Sequence, residues 1–334
     1  MKRIVILLLL SYVISLNCSA VFFVDINSFI GSYYYPERTD KEFNYYDVQD
    51  VRFGLKNISV DNLNLAVTLN YSENLTDYTI GLKKLQVSYE GFNNWQLAYL
   101  IDNLGYGKAS EYFEQDLTNP DYRLHRLGDY RFSGINLEHK LLYHITAAHF
   151  LGGNKHNTVI GTSALKWNLN PLSIKLFYLH TGRDNNFNKT MHSIGFETEL
   201  QTTYVEFFHS QSWQHLNSVF KKTNYLTYSE LLFSFTPELI AGGNFFYAKE
   251  YRGFSSWQDY SLLTTYQLKS LNNTLIFSHT SANDLRKSKL TAIISYSFTE
   301  SFSLGINGAT HLPKTNRNYY SLGFQVKINE KYPF

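Results

Sequence analysis

Tyr320-Ser321-Leu322-Gly323-Phe324-Gln325-Val326-Lys327-Ile328-Asn329 alternates residue by residue. In an extended strand successive side chains point to opposite faces. Tyr320, Leu322, Phe324, Val326 and Ile328 therefore share one face, and Ser321, Gly323, Gln325, Lys327 and Asn329 share the other. A strand that is apolar on one side and polar on the other suits a wall between lipid and water.

The same period recurs upstream. Leu63, Leu65, Val67, Leu69 and Tyr71 oppose Asn64, Ala66, Thr68, Asn70 and Ser72. His192, Ile194, Phe196 and Thr198 oppose Ser193, Gly195, Glu197 and Glu199, and Leu290 to Phe298 repeats the pattern. Period two on this scale excludes an amphipathic helix. The phase slips near Lys83-Lys84, which predicts a bulge. Glu330, Lys331 and Pro333 break the last alternation and place its end near Ile328.

The connections carry an independent signal. Tight turns are expected at Asp61-Asn62, Phe92–Asn94, Asn168–Pro171, Gln201-Thr202, Thr236–Glu238, Leu271–Asn273 and Thr299–Ser301. Between them lie longer polar links, among them Pro36–Asp47, Glu73–Asp77, Gln211–Asn224, Glu250–Ser256 and Leu312–Asn318. Short and long links in alternation are the mark of an up-and-down barrel with two different rims. The fold class is all-β, a transmembrane antiparallel barrel of about 18 strands, or about 16 if two segments merge.

Composition agrees. The chain has 27 Tyr and 25 Phe but only 6 Pro, a residue that interrupts strand ladders. Its mean hydropathy is −0.27, low because a barrel strand shows lipid only every second residue. Lys and Arg total 30 against 28 Asp and Glu, which gives no footprint for nucleic acid.

Residues 1–20 read as a secretory signal: Lys2 and Arg3, an apolar run from Ile4 to Leu10, then Cys18-Ser19-Ala20. Cleavage near Ala20 leaves 21–334 as a single barrel domain, removes the lone cysteine and excludes a disulfide.

The whole region after the signal resembles bacterial outer-membrane β-barrels of the porin-like kind, by pattern and not by a diagnostic motif. The resemblance implies an outer-membrane location, a channel for small hydrophilic solutes or a polar polymer, and no cofactor. It also implies contact with outer-membrane lipid, a homotrimer, and recognition of the last strand, with Phe334, by the barrel-assembly machinery.

Alternation places Arg52, Lys56, Asp102, Glu138, Lys166, Lys175, Glu197, Glu199, Glu206, Glu230, Asp259, Lys269 and Lys327 on polar faces, hence lining the lumen. Their signs nearly balance. The longest link, about 103–129, carries Glu111, Glu114, Asp116, Asp121, Arg123 and Arg126. By similarity to general porins it is a candidate constriction loop, where opposed charges set a transverse field. An ordinary outer loop is the competing reading.

An enzymatic alternative rests on His279 and Ser281, two apart on one strand face, with the histidine as base and the serine as nucleophile. The pair looks like the His-x-Ser element of outer-membrane lipid hydrolases, although no orienting third residue is identifiable. A non-conducting structural or adhesin barrel is the other alternative. His139, His144, His149 and His156 are too widely spaced to define a metal site. Trp95, Trp167, Trp257, Tyr319 and Tyr320 are expected in interfacial girdles.

Overall fold

A computed structural model describes residues 21–34, 44–60, 62–74, 77–103, 131–153, 159–181, 190–217, 222–251, 254–282, 285–314 and 318–333. The first six strands are β1 (Val21–Tyr34), β2 (Asn44–Val60), β3 (Leu63–Asn74), β4 (Asp77–Phe92), β5 (Trp95–Asn103) and β6 (Arg131–Leu142). There follow β7 (Ile145–Gly153), β8 (Val159–Asn168), β9 (Leu172–Thr181), β10 (Thr190–Gln201), β11 (Val205–Asn217) and β12 (Lys222–Ser234). The last six are β13 (Leu239–Tyr251), β14 (Phe254–Leu268), β15 (Leu271–Ala282), β16 (Leu285–Ser297), β17 (Phe302–Pro313) and β18 (Tyr319–Pro333).

Each strand pairs antiparallel with its sequence neighbours, and β1 closes the ring against β18. The closing ladder runs from Val21 opposite Pro333 to Tyr34 opposite Tyr320. The result is the closed 18-stranded antiparallel sheet that the alternation predicts. Closure leaves no edge whose N–H and C=O groups would face hydrocarbon unpaired.

The register carries one face assignment around the whole ring. Phe324 pairs with Ile30 on one side and with Ile306 on the other. Gly323 likewise joins Gly31 to Asn307. Leu322 and Phe324 are 57% and 60% exposed, while Ser321 between the strands' apolar positions is 5% exposed. Ile135, Leu151, Ile194, Leu262 and Ile294 are exposed in the outward phase. Ser88, Thr162, Ser193, Ser212, Thr280 and Thr291 are buried in the inward one. Outward charges among the described side chains, such as Lys249, Arg286 and Glu330, sit near strand ends, away from the middle of the apolar band.

The expected bulge is present: Thr68 pairs with Lys84 and Leu69 with Leu82, leaving Lys83 as the extra residue. A second irregularity, after Leu55 in β2, has no clear sequence mark.

The structure corrects one expected turn and adds another. Leu271–Asn273 is not a turn; it begins β15, and the chain reverses at Lys269-Ser270. The Asn-Asn pair imitates a turn, but Asn272 and Asn273 pair with Gln267 and Tyr266 at the rim. A further tight turn lies at Tyr143-His144.

Several strands also outrun their apolar pattern. β11 continues to Asn217, β13 to Tyr251, and β18 beyond Ile328 to Pro333. Toward the rims polar residues such as His215 and Glu330 enter the outward face and the alternation fades, but backbone pairing continues. Residues 1–20 and Phe334 lie outside the described residues.

Replacing Phe324 by Arg puts a charge on the lipid side and is expected to cost about 2–4 kcal/mol. Gln325→Arg, one residue on and facing inward, is expected to cost far less. Reversible unfolding of both variants in liposomes measures the difference.

Candidate functional site

The inner wall is the concave surface that the closed sheet encloses, and alternate residues of every strand face it. The register places Arg52, Glu138, Lys166, Lys175, Glu197, Glu199, Glu206, Glu230, Asp259 and Lys327 there. Lys56 and Asp102 occupy register positions of the same phase. Lys269 does not line the wall: it sits in the turn between β14 and β15, exposed, with φ 52°. The candidate constriction residues Glu111, Glu114, Asp116, Asp121, Arg123 and Arg126 lie outside the described residues.

Among the described side chains, further inward charges are Asp25, opposite Arg52, and Lys140, Lys287, Lys289 and Lys331. Placed on their strands, the inner charges are sorted by sign. Among the described side chains, the inner face of β10–β14 carries Glu197, Glu199, Glu206, Glu230 and Asp259 and no base. On one side, β6–β9 contribute Lys140, Lys166 and Lys175 beside Glu138. On the other, β16 and β18 contribute Lys287, Lys289, Lys327 and Lys331. The two signs meet where Lys175 Nζ lies 3.1 Å from Glu197 Oε2.

Several carboxylates are held against the wall by a donor two residues earlier on the same strand. Asn136 Nδ2 donates to Glu138 Oε1 at 3.0 Å. Tyr228 OH donates to Glu230 Oε2 at 2.7 Å, and Trp257 Nε1 to Asp259 Oδ2 at 2.6 Å. Residues two apart share a face, so the donor reaches the acid without crossing the wall. Trp257 is thereby corrected from girdle to inner wall, where its indole N–H finds an acceptor. Tyr319 also faces inward, stacked on His311 with ring centroids 4.2 Å apart.

The acidic arc is lined with rings. Phe208, Leu226, Tyr228, Phe246 and Ala248 form one buried cluster, with Trp257 packed against it. The readable sign of this patch was the adjacent bulky pairs Phe207-Phe208 and Phe245-Phe246: in a strand, one member of each must face inward. Elsewhere rings lie along the wall over glycines. A Cβ added at Gly152 would meet Phe150 Cζ at 2.6 Å, and one at Gly195 would meet Phe177 Cζ at 2.5 Å. These glycines make room for rings that would otherwise project toward the axis.

Ser193 Oγ, Ser212 Oγ, Glu197 Oε1, Asn244 Nδ2 and Asp259 Oδ1 are buried inner-wall atoms with no protein hydrogen-bond partner. Each costs about 1–3 kcal/mol if left dry, so the wall calls for water or polar solute beside it.

The His279–Ser281 pair is not the contact that forms. His279 Nδ1 lies 2.8 Å from Ser288 Oγ across β15 and β16, while Ser281 stands between Gln258 and Arg286. The same cross-strand histidine–serine bond recurs at His149–Ser163, His209–Ser229 and His311–Ser321. Of these pairs only His311–Ser321 faces inward; a contact repeated on both faces of the sheet satisfies polar groups at each place and does not single out His279 as a base. His139 stacks on Trp95 with centroids 3.8 Å apart, His144 lies in a turn, and His156 is outside the described residues. Among the described residues no group of three or more His, Cys, Asp or Glu is placed to hold a metal ion.

No protein family matches the sequence, and no curated protein matches it. Solved structures do match. Pseudomonas aeruginosa OpdO superposes with a TM-score of 0.62 at 11% identity, over 93% of this chain and 97% of that one. The outer membrane protein OpdK of Pseudomonas aeruginosa gives 0.61 at 8% identity, over 94% and 99%. Acinetobacter baumannii OccAB4 gives 0.55 at 12% identity, over 95% and 99%. Near-complete coverage of both chains at such low identity is a likeness of fold: this chain is an outer-membrane-type β-barrel, porin-like in architecture.

Proposed function

We propose that the chain is an outer-membrane channel that passes small hydrophilic solutes through its lumen and sorts them by charge distribution. Barrels of about 16–18 strands normally leave an aqueous path along the axis. The observation that carries the reading is the inner wall's separation of acids on β10–β14 from bases on β6–β9, β16 and β18. Opposed charges across a pore set a transverse field, which selects solutes without covalent chemistry. The inner-wall polar atoms lacking a protein partner support a wet lumen. Export with removal of residues 1–20 and assembly through the last strand belong to the same reading, as does trimer formation.

Single-channel recording of the purified barrel in planar bilayers tests it. Discrete conductance steps are expected, and their absence at every voltage would remove the channel reading. Neutralising the acidic arc with Glu197→Gln, Glu199→Gln and Glu230→Gln is expected to move the reversal potential in a salt gradient toward anion preference. Lys287→Gln with Lys289→Gln is expected to move it the opposite way. Equal shifts of the same sign in both sets would show that the sorted charges do not face the conducted ions.

A further inference from the structure

On the outer surface of β6–β10 the apolar band is interrupted. Register neighbours form a row Leu151–Gly161–His180–His192, and beside it, one step toward the short-turn rim, a row His149–Ser163–Tyr178–Ile194. Gly161 lies in the outward phase, and a Cβ added there would meet nothing within 4 Å. The missing side chain opens a groove of about 450 Å³. Ile135, Leu137 and Leu151 give it an apolar wall; His149, Ser163, Tyr178 and His180 give it a polar one.

The polar side is a bonded set. Tyr178 OH lies 2.7 Å from His192 Nδ1, and His180 Nδ1 lies 3.3 Å from the same atom. His149 Nδ1 bonds Ser163 Oγ at 3.0 Å. Two neutral imidazoles that face each other through Nδ1 share one hydrogen, so the accepting ring carries its own on Nε2, a donor directed away from the pair. At the other outward histidine–serine pairs the histidine bonds a single serine; here a second and a third imidazole and a phenol are bonded together beside an opening. Polar groups against hydrocarbon are costly, which favours an occupant with a polar end at this spot. His180 is one residue from the end of β9 and His192 two from the start of β10, at the rim where long links emerge. That is headgroup depth, and it belongs to the outer leaflet if long links face outside.

We propose that this groove is a binding site for a membrane lipid with a phosphate-bearing headgroup. An acyl chain lies along Ile135, Leu137 and Leu151 and fills the notch at Gly161, while phosphoryl oxygens accept hydrogen bonds from the His180–His192 side. The inference rests on the membrane reading of the barrel, because it requires this wall to face lipid.

Native mass spectrometry of the full barrel released from detergent, with lipid A or its dephosphorylated analogue as probe, tests the site. The wild type is expected to retain lipid A about tenfold better than the analogue, the scale of a hydrogen bond to a charged group. His180→Phe with His192→Phe keeps ring bulk on a lipid-facing wall and is expected to abolish that preference. Gly161→Leu is expected to lower retention of both lipids, with heat-modifiable gel migration confirming that each variant is folded. Equal retention of the two lipids by the wild type would overturn the proposal, as would an unchanged preference in the double variant. Displacement of lipid A by inorganic phosphate would mean a free-anion site instead. A wild-type trimer that Gly161→Leu dissociates would mean a contact between copies of the chain. A barrel that inserts into vesicles yet shows no lipid preference defeats the site alone; one that never inserts defeats the membrane reading.

Discussion

The ladder between β1 and β18 is the contact on which the rest depends. Hydrocarbon offers backbone N–H and C=O groups no partner, so a sheet crossing it must satisfy them all within itself. Val21–Tyr34 does this by pairing with β2 on one side and β18 on the other over nearly its whole length. Closure also fixes orientation. A slip of one residue in any ladder would exchange the two faces of a strand and put Lys175 or Glu197 into lipid. The consistent phase from Phe324 through Ile30 and on around the ring is what keeps the charged set inside.

Most of this architecture was legible because the membrane imposes a period on the sequence. Where apolar side chains must meet lipid at every second position, as at Leu322, Phe324 and Val326, the strand and its outward face can be read together. The bulge at Lys83 was legible for the same reason, as a break in phase. Legibility ended where the lipid ended. β11 past Gln211 and β13 past Glu250 continue as paired strand although polar residues such as His215 weaken the outward pattern there. The Asn272-Asn273 pair misled because rim strands tolerate the residues that turns prefer, which displaced Lys269 from the turn it occupies onto a wall.

The inner wall was only half legible. Treating inward residues as uniformly polar hid Phe208, Phe246 and Trp257, although the bulky outward neighbours Phe207 and Phe245 forced the issue for the first two. The charge pattern was present but unordered. In an up-and-down barrel, position along the chain is also position around the ring. Summing the inner charges gives near neutrality, whereas chain order shows mixed signs up to Glu138, bases from Lys140 to Lys175, acids from Glu197 to Asp259, then bases again from Lys287. The candidate dyad failed for another reason: strand neighbours across a ladder, here His279 and Ser288, can be closer than residues two apart on one strand.

The sorting of acids and bases around the ring bears on how a molecule would travel. A solute with its own positive and negative ends feels a torque there before it feels any net attraction. It would swing crosswise, its two poles drawn to different sectors of the circumference. Passage would then be judged on the span between those poles, and a longer molecule that stays end-on would gain nothing from being slender.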